Sequence, residues 1–141
     1  MFSTLNSPQK AYANVAINVG VESASPHRLI LMLYEGALLS LMLAEQCMKD
    51  GRVGERGAAI SKAISIIGEG LRASLNAESG GELAGRLDAL YDYMVRRLVE
   101  ANTENRPAPL QEVSRLLREL KTAWEEIASD PAVVSPNRAA A

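Results

Sequence analysis

Cysteine and histidine are almost missing from this 141-residue chain, which has one of each, Cys47 and His27. A single cysteine excludes an intramolecular disulfide. A single histidine excludes two-histidine metal motifs and the paired Glu-x-x-His sites of di-iron bundles. Cys47, beside Met48, reads as a small apolar residue, buried or half-buried. Aromatics are scarce, at 4%, so the core must come from Leu, Ile, Val, Met and Ala, which suit helix packing better than a sandwich. An excess of either charge is lacking too: 15 Lys and Arg against 17 Asp and Glu give a formal net charge of −2. That balance offers no general attraction to phosphate backbones or anionic membranes, and no nucleic-acid partner is expected. Met1 is followed by a polar, uncharged stretch without the apolar core of a signal peptide. The most apolar run, residues 29–44, contains Glu35 and falls short of the ~20 residues of a membrane helix. A cytoplasmic protein without membrane insertion is the expectation. No G-x-S-x-G, P-loop or Cys-x-x-Cys-His pattern is present, so no enzyme site, cofactor or metal is expected.

What the chain does have is helical periodicity. Its length suits one domain, and 48% hydrophobic residues with 23% charged is an ordinary globular composition. Ser25-Pro26 is a helix start, because Ser caps free N–H groups and Pro suits the first helical position. The first helix is expected over 26–49, ended by Asp50-Gly51, with Ile30, Leu33, Ala37, Leu41, Ala44 and Met48 on its inner stripe. A second is expected over 55–76, with Ile60, Ile64, Ile67, Leu71 and Leu75 inward and Gly68 and Gly70 as local weak points. Ser79-Gly80-Gly81 separates it from a third over 82–102, with Leu83, Leu87, Leu90, Met94 and Leu98 on one face. A break is expected from Asn102 to Pro109, then a fourth helix over 110–128. Its stripe, Leu110, Val113, Leu117, Leu120, Trp124 and Ile127, follows the alternating three-four spacing of a left-handed bundle seam. Short links force neighbours to run antiparallel. The expected fold is an all-α, antiparallel four-helix bundle over 26–128. It is preceded by an N-terminal arm or short cap helix over 1–25 and followed by a frayed tail over 129–141.

The first helix is too apolar for a bundle helix with one wet face. Leu29, Leu31, Met32, Leu38, Leu39, Met42 and Leu43 exceed what one seam absorbs. Either the arm, with Tyr12, Val15, Ile17, Val19 and Val21, covers this surface, or the surface is a groove for partner helices; a movable arm reconciles the two. Two other classes stay open. One is a self-associating helical adaptor bundle in signalling, a homodimer made through the first helix. The other is a phosphotransfer bundle using His27, disfavoured because His27 sits at a helix start instead of mid-helix on a wet face.

The segments SASPHRLILMLYEGAL, KAISIIGEGLRASL, GGELAGRLDALYDYMVRRLVEAN and LLRELKTAWEEI occur in this order over most of the chain. Together they resemble the flagellin export chaperone family, FliS, of the bacterial flagellar type III secretion system. The resemblance implies a cytosolic antiparallel bundle that binds the C-terminal region of unpolymerised flagellin. It implies that binding prevents premature polymerisation and assists delivery to an export-gate component, with no cofactor. On that reading the partner-binding residues are Tyr12, Val15, Pro26, Leu29, Met32, Leu33 and Tyr34 around the arm and first helix, and Leu90, Tyr91 and Met94 on the third. Tyr34 and Tyr91 match recurrent family tyrosines, and Tyr12 matches that of the N-terminal segment implicated in groove covering and gate contact. Both Tyr34 and Tyr91 are equally compatible with plain packing between helices.

Overall fold

The computed structural model describes residues 25–75 and 77–128. Tyr12, Val15, the rest of the arm to residue 24 and the tail over 129–141 lie outside the described residues. Within them the fold is all-α, as the periodicity requires. The elements are α1 (Pro26–Asp50), α2 (Val53–Ser65, continuing through a π-helical turn, Ile66–Leu71), α3 (Ala77–Glu104) and α4 (Pro107–Ala128).

Local chemistry sets the ends of α1. Ser25 is extended, and its Oγ accepts from the Arg28 backbone N–H at 3.1 Å, with Pro26 in the first turn. At the other end Gly51 adopts φ 70°, ψ 22°, and the N–H groups of Gly51 and Arg52 both return to the Cys47 carbonyl. This left-handed cap turns the chain in two residues, so α2 runs back antiparallel to α1.

The first departure from the periodicity lies in α2, which does not continue regularly to Asn76. From Ile66 it widens into a π turn, marked by the Arg72 N–H bonding the Ile67 carbonyl at 3.0 Å, and it ends in turns by Ser74. Gly68 and Gly70 lie in that turn, where weak helix preference lets the backbone unwind. The extra residue rephases the inner face. Ile66, Ile67, Gly70 and Leu71 are all buried and Leu75 beyond them is half-buried, as is Ile64 ahead of the turn.

The next break falls at Gly81, where φ 56°, ψ −130° interrupts the helix and regular α3 follows from Glu82. Only glycine adopts that backbone region without strain. Along α3 the expected face is rotated. Leu83 is exposed, Leu87 and Leu90 are half-buried, and Ala84, Tyr91, Met94, Leu98 and Ala101 form the inner stripe.

The link from α3 to α4 is also shorter than the sequence suggested. Only Asn105 and Arg106 separate the helices, and Pro107 and Pro109 both lie inside the first turn of α4. N–H groups of a first turn have no helical partner, so neither proline removes a bond that would otherwise form. Asn105 takes φ 54°, and the Arg106 N–H bonds the Ala101 carbonyl at 3.1 Å. Arg56 of α2 clasps this end, donating to Asn102 Oδ1, the Asn102 carbonyl and Asn105 Oδ1 at 3.1, 3.3 and 2.7 Å. A guanidinium there complements the negative end of the α3 dipole.

Cross-links fix the order around the bundle. His27 meets Trp124 at one end of the α1–α4 pair, and Glu45 meets Gln111 further along, so these helices are antiparallel. Arg56 with Asn102, and Arg72 with Asp88 and Asp92, do the same for α2 and α3. Neighbours therefore alternate in direction, and α1 and α3 are parallel across the diagonal. Leu33, Leu41, Ile60, Ile66, Ile67, Leu71, Met94, Leu98, Leu110, Val113 and Leu117 fill the centre. Each such side chain contributes about 1.5–3 kcal/mol by leaving water. Cys47 is buried among them as a free thiol. Trp124 and Ile127 leave the α4 seam half-buried and exposed.

Candidate functional site

One helix, α1, serves two surfaces. At 3.6 residues per turn, Leu33, Ala37, Leu41 and Ala44 project inward and are fully buried. The opposite side should be polar, yet Leu39 is 66% exposed, Met42 67% and Leu43 49%. Half-buried Met32 continues the stripe toward the helix start, and exposed Arg28, Glu35 and Gln46 lie among these residues on the same outer side. The apolar excess on this helix is thus real surface among the described residues. By length and hydropathy α1 would also suffice to cross a membrane, but α2 and α4 pack along it.

Beside the stripe, the surface sinks into a groove of about 400 Å³ between α1 and α4, lined by Leu38, Met42, Glu45, Gln111, Ser114 and Arg118. Gln111 Nε2 donates to Glu45 Oε2 at 2.9 Å across it. Leu39, Met42 and Leu43 were not among the residues singled out for binding. Their signal was in the sequence, as part of the apolar excess, but the motif match drew attention toward the start of the helix.

Within the described residues the singled-out positions divide into two groups. Leu29 and Met32 are half-buried on α1, Pro26 is exposed at its start, and Leu90 is half-buried on α3. Leu33, Tyr34, Tyr91 and Met94 lie in the core. Tyr34 and Tyr91 meet across the diagonal, hydroxyl to hydroxyl at 2.7 Å. Burial pushes both phenols above their ordinary range, and for Tyr34 the bond from Tyr91 partly offsets that rise. The pair satisfies two polar groups in a core that offers them no water.

His27 and Trp124, read from sequence as separate, form a third constellation. Their rings stack with centroids 4.5 Å apart and planes 10° apart. Trp124 Nε1 donates to the His27 carbonyl at 2.9 Å, and His27 Nε2 donates to the Trp124 carbonyl at 3.1 Å. This lashes the start of α1 to the end of α4. No signal of periodicity or motif pairs residues so far apart in the chain. On the α3–α4 face, Arg97 donates to Glu112 and Glu100 at 2.7 and 2.6 Å, and Tyr93 donates to Glu112 at 2.8 Å. Those hydrogen bonds hold the Glu112 carboxyl below the usual carboxylate range. Among the described residues no group of three or more His, Cys, Asp or Glu could hold a metal ion.

An apolar stripe on a closed bundle can take up another helix. Comparison with known proteins gives the family. The family model "Flagellar protein FliS" matches residues 8–131. The flagellar secretion chaperone FliSB of Pseudomonas aeruginosa is 52% identical over 118 residues, covering 84% of this chain and 93% of that protein. The flagellar secretion chaperone FliS of Salmonella typhimurium is 48% identical over 118 residues, covering 84% and 87%. That of Escherichia coli is 42% identical over 125 residues, covering 89% and 92%. The chain belongs to the FliS family of flagellar secretion chaperones.

Proposed function

We propose that this chain is a cytoplasmic export chaperone that binds the C-terminal region of unpolymerised flagellin, keeps it from polymerising and assists its delivery to the export apparatus. The observation that carries this reading is the exposed apolar stripe of Leu39, Met42 and Leu43 on α1. Isolated exposed leucines need no explanation, but a stripe along one helix is what a partner helix recognises. The binding mode is helix-in-groove, with an amphipathic flagellin segment laying its apolar face on α1. Ordering that segment costs about 2–5 kcal/mol or more, so the contact has to be extensive. Leu29 and Met32 extend it at the helix start, and Leu90 offers a second contact on α3. Leu33, Tyr34, Tyr91 and Met94 hold the surface from beneath.

Tyr12 and Val15, ahead of the helices, and Pro26 at the start of α1 are further partner contacts on this reading, with an export-gate component as a second partner. The test is co-purification of the chain with flagellin and with flagellin lacking its C-terminal segment. Capture of the first and loss of the second support the reading; equal capture of both overturns the C-terminal assignment. A self-associating bundle is the second reading, favoured by the same stripe. Light scattering separates the two: a homodimer that flagellin neither dissociates nor remodels would favour self-association as the function.

A further inference from the structure

Most arginines of the bundle have a carboxylate partner. Arg52, Arg72, Arg86, Arg96, Arg97 and Arg106 all form ion pairs. Arg118, exposed on α4, forms none and has no hydrogen bond among the described residues. It lines the α1–α4 groove with apolar Leu38 and Met42 and with Ser114. The groove's one anion, Glu45, is already engaged by the Gln111 amide. The floor is therefore apolar, Glu45 keeps its charge but has a hydrogen-bond partner, and Arg118 is the charged side chain of the groove that has none.

We propose that the α1–α4 groove is a charge-selective docking site for an amphipathic helical segment of the secreted client, one that carries a carboxylate about one turn from its apolar anchors for Arg118 to meet. The proposal rests on the chaperone reading above and assigns a specificity-determining residue to it. The antiparallel pairing of α1 and α4 places Glu45 with Gln111 toward one end of the groove, and Leu38 lies seven residues away along α1. That separation is about 10 Å, or two helical turns. Two apolar side chains at i and i+3 or i+4 fit over Met42 and Leu38, with the acidic residue one turn beyond an anchor. The volume lies at the low end of the roughly 300–1,000 Å³ of sites built to receive apolar groups. A client helix running from the Glu45 end toward Arg118 also points its positive N-terminus at the anion and its negative C-terminus at the cation. A segment with a basic or uncharged residue opposite Arg118 gains nothing there, so the groove sorts partners by where their charge falls as well as by apolar pattern.

The test measures binding of full-length monomeric flagellin to the wild type, Arg118→Glu, Arg118→Lys and, as a charge-matched control on α3, Arg96→Glu. Circular dichroism and unfolding are recorded for each. Arg118→Glu should weaken binding about three- to ten-fold at low salt and less at high salt, as expected for a rim charge. Arg118→Lys should stay within about two-fold of the wild type, and Arg96→Glu should bind normally. Equal binding by wild type and Arg118→Glu overturns the groove assignment while leaving the chaperone reading intact. Equal weakening by Arg118→Glu and Arg96→Glu overturns it as well, since the effect is then one of overall charge. Loss of self-association with flagellin binding retained would assign the groove to a second copy instead. A wild type that does not bind flagellin fails both readings together.

Discussion

Tyr34 and Tyr91 show what a single polar contact demands in an apolar core. Each hydroxyl is the other's partner at 2.7 Å, so removing one strands the other. Tyr34→Phe or Tyr91→Phe should each cost about 1–3 kcal/mol in urea unfolding, whereas the double Phe variant should cost clearly less than the sum. Additive losses would mean that the two hydroxyls are satisfied independently. The raised phenol pKa values carry a sign as well. Below pH about 10, the ordinary value, both tyrosines are protonated folded and unfolded, and the pair contributes fully. Above it the unfolded chain ionises first, so stability falls as pH rises. The double Phe variant should lose less stability than the wild type between pH 9 and 11, as read by unfolding at each pH. The sequence marked both tyrosines through the motifs around them, but a contact between α1 and α3 is invisible to periodicity. For the same reason the His27–Trp124 clasp could not be read in advance.

Glycines decide how the elements end, and they divide by backbone geometry. Gly81, at φ 56° and ψ −130°, has open space around its missing Cβ. Gly81→Ala therefore meets no clash but should still destabilise by about 1–3 kcal/mol through backbone strain. Gly54 lies inside α2 with regular dihedrals and equally open space. Gly54→Ala should stabilise by about 0.5–1 kcal/mol. Thermal unfolding of the two variants should move in opposite directions. Movement in the same direction would mean that these glycines act through packing. Helix existence, the caps at Ser25 and Gly51, the middle of the α1 stripe and the α4 stripe as far as Leu117 were legible because each rests on local chemistry. The π turn at Ile66–Leu71 was not, because one extra residue shifts the phase of everything after it while leaving composition unchanged. Nor was the inclusion of Pro107 and Pro109 in α4, since prolines in sequence look alike whether they precede a helix or open it.

For the molecule as a whole, the central relation is between α1 and its two sides. Core packing needs one stripe of this helix, and the structure leaves a second, Leu39, Met42 and Leu43, in water. The apolar surplus, with Leu39, Met42 and Leu43 in it, announced that surface in the sequence, and the direction of the inner face decides which of the surplus residues stay in water. A surface of this kind is costly to keep exposed unless a partner covers it. Because the proposed contact is chiefly apolar and the net charge is only −2, flagellin affinity should change modestly with salt. A steep salt dependence in titration would point to an electrostatic interface instead. The most direct measurement is calorimetric titration of monomeric flagellin into the double variant Leu39→Ser/Leu43→Ser, with unfolding followed in parallel. Leu39 is mostly exposed and Leu43 about half exposed, so fold stability should change by less than about 1 kcal/mol per site. Binding should weaken by at least about ten-fold, as when interface anchors are truncated. Unchanged affinity in a normally folded double variant would contradict the assignment of flagellin to the outer face of α1.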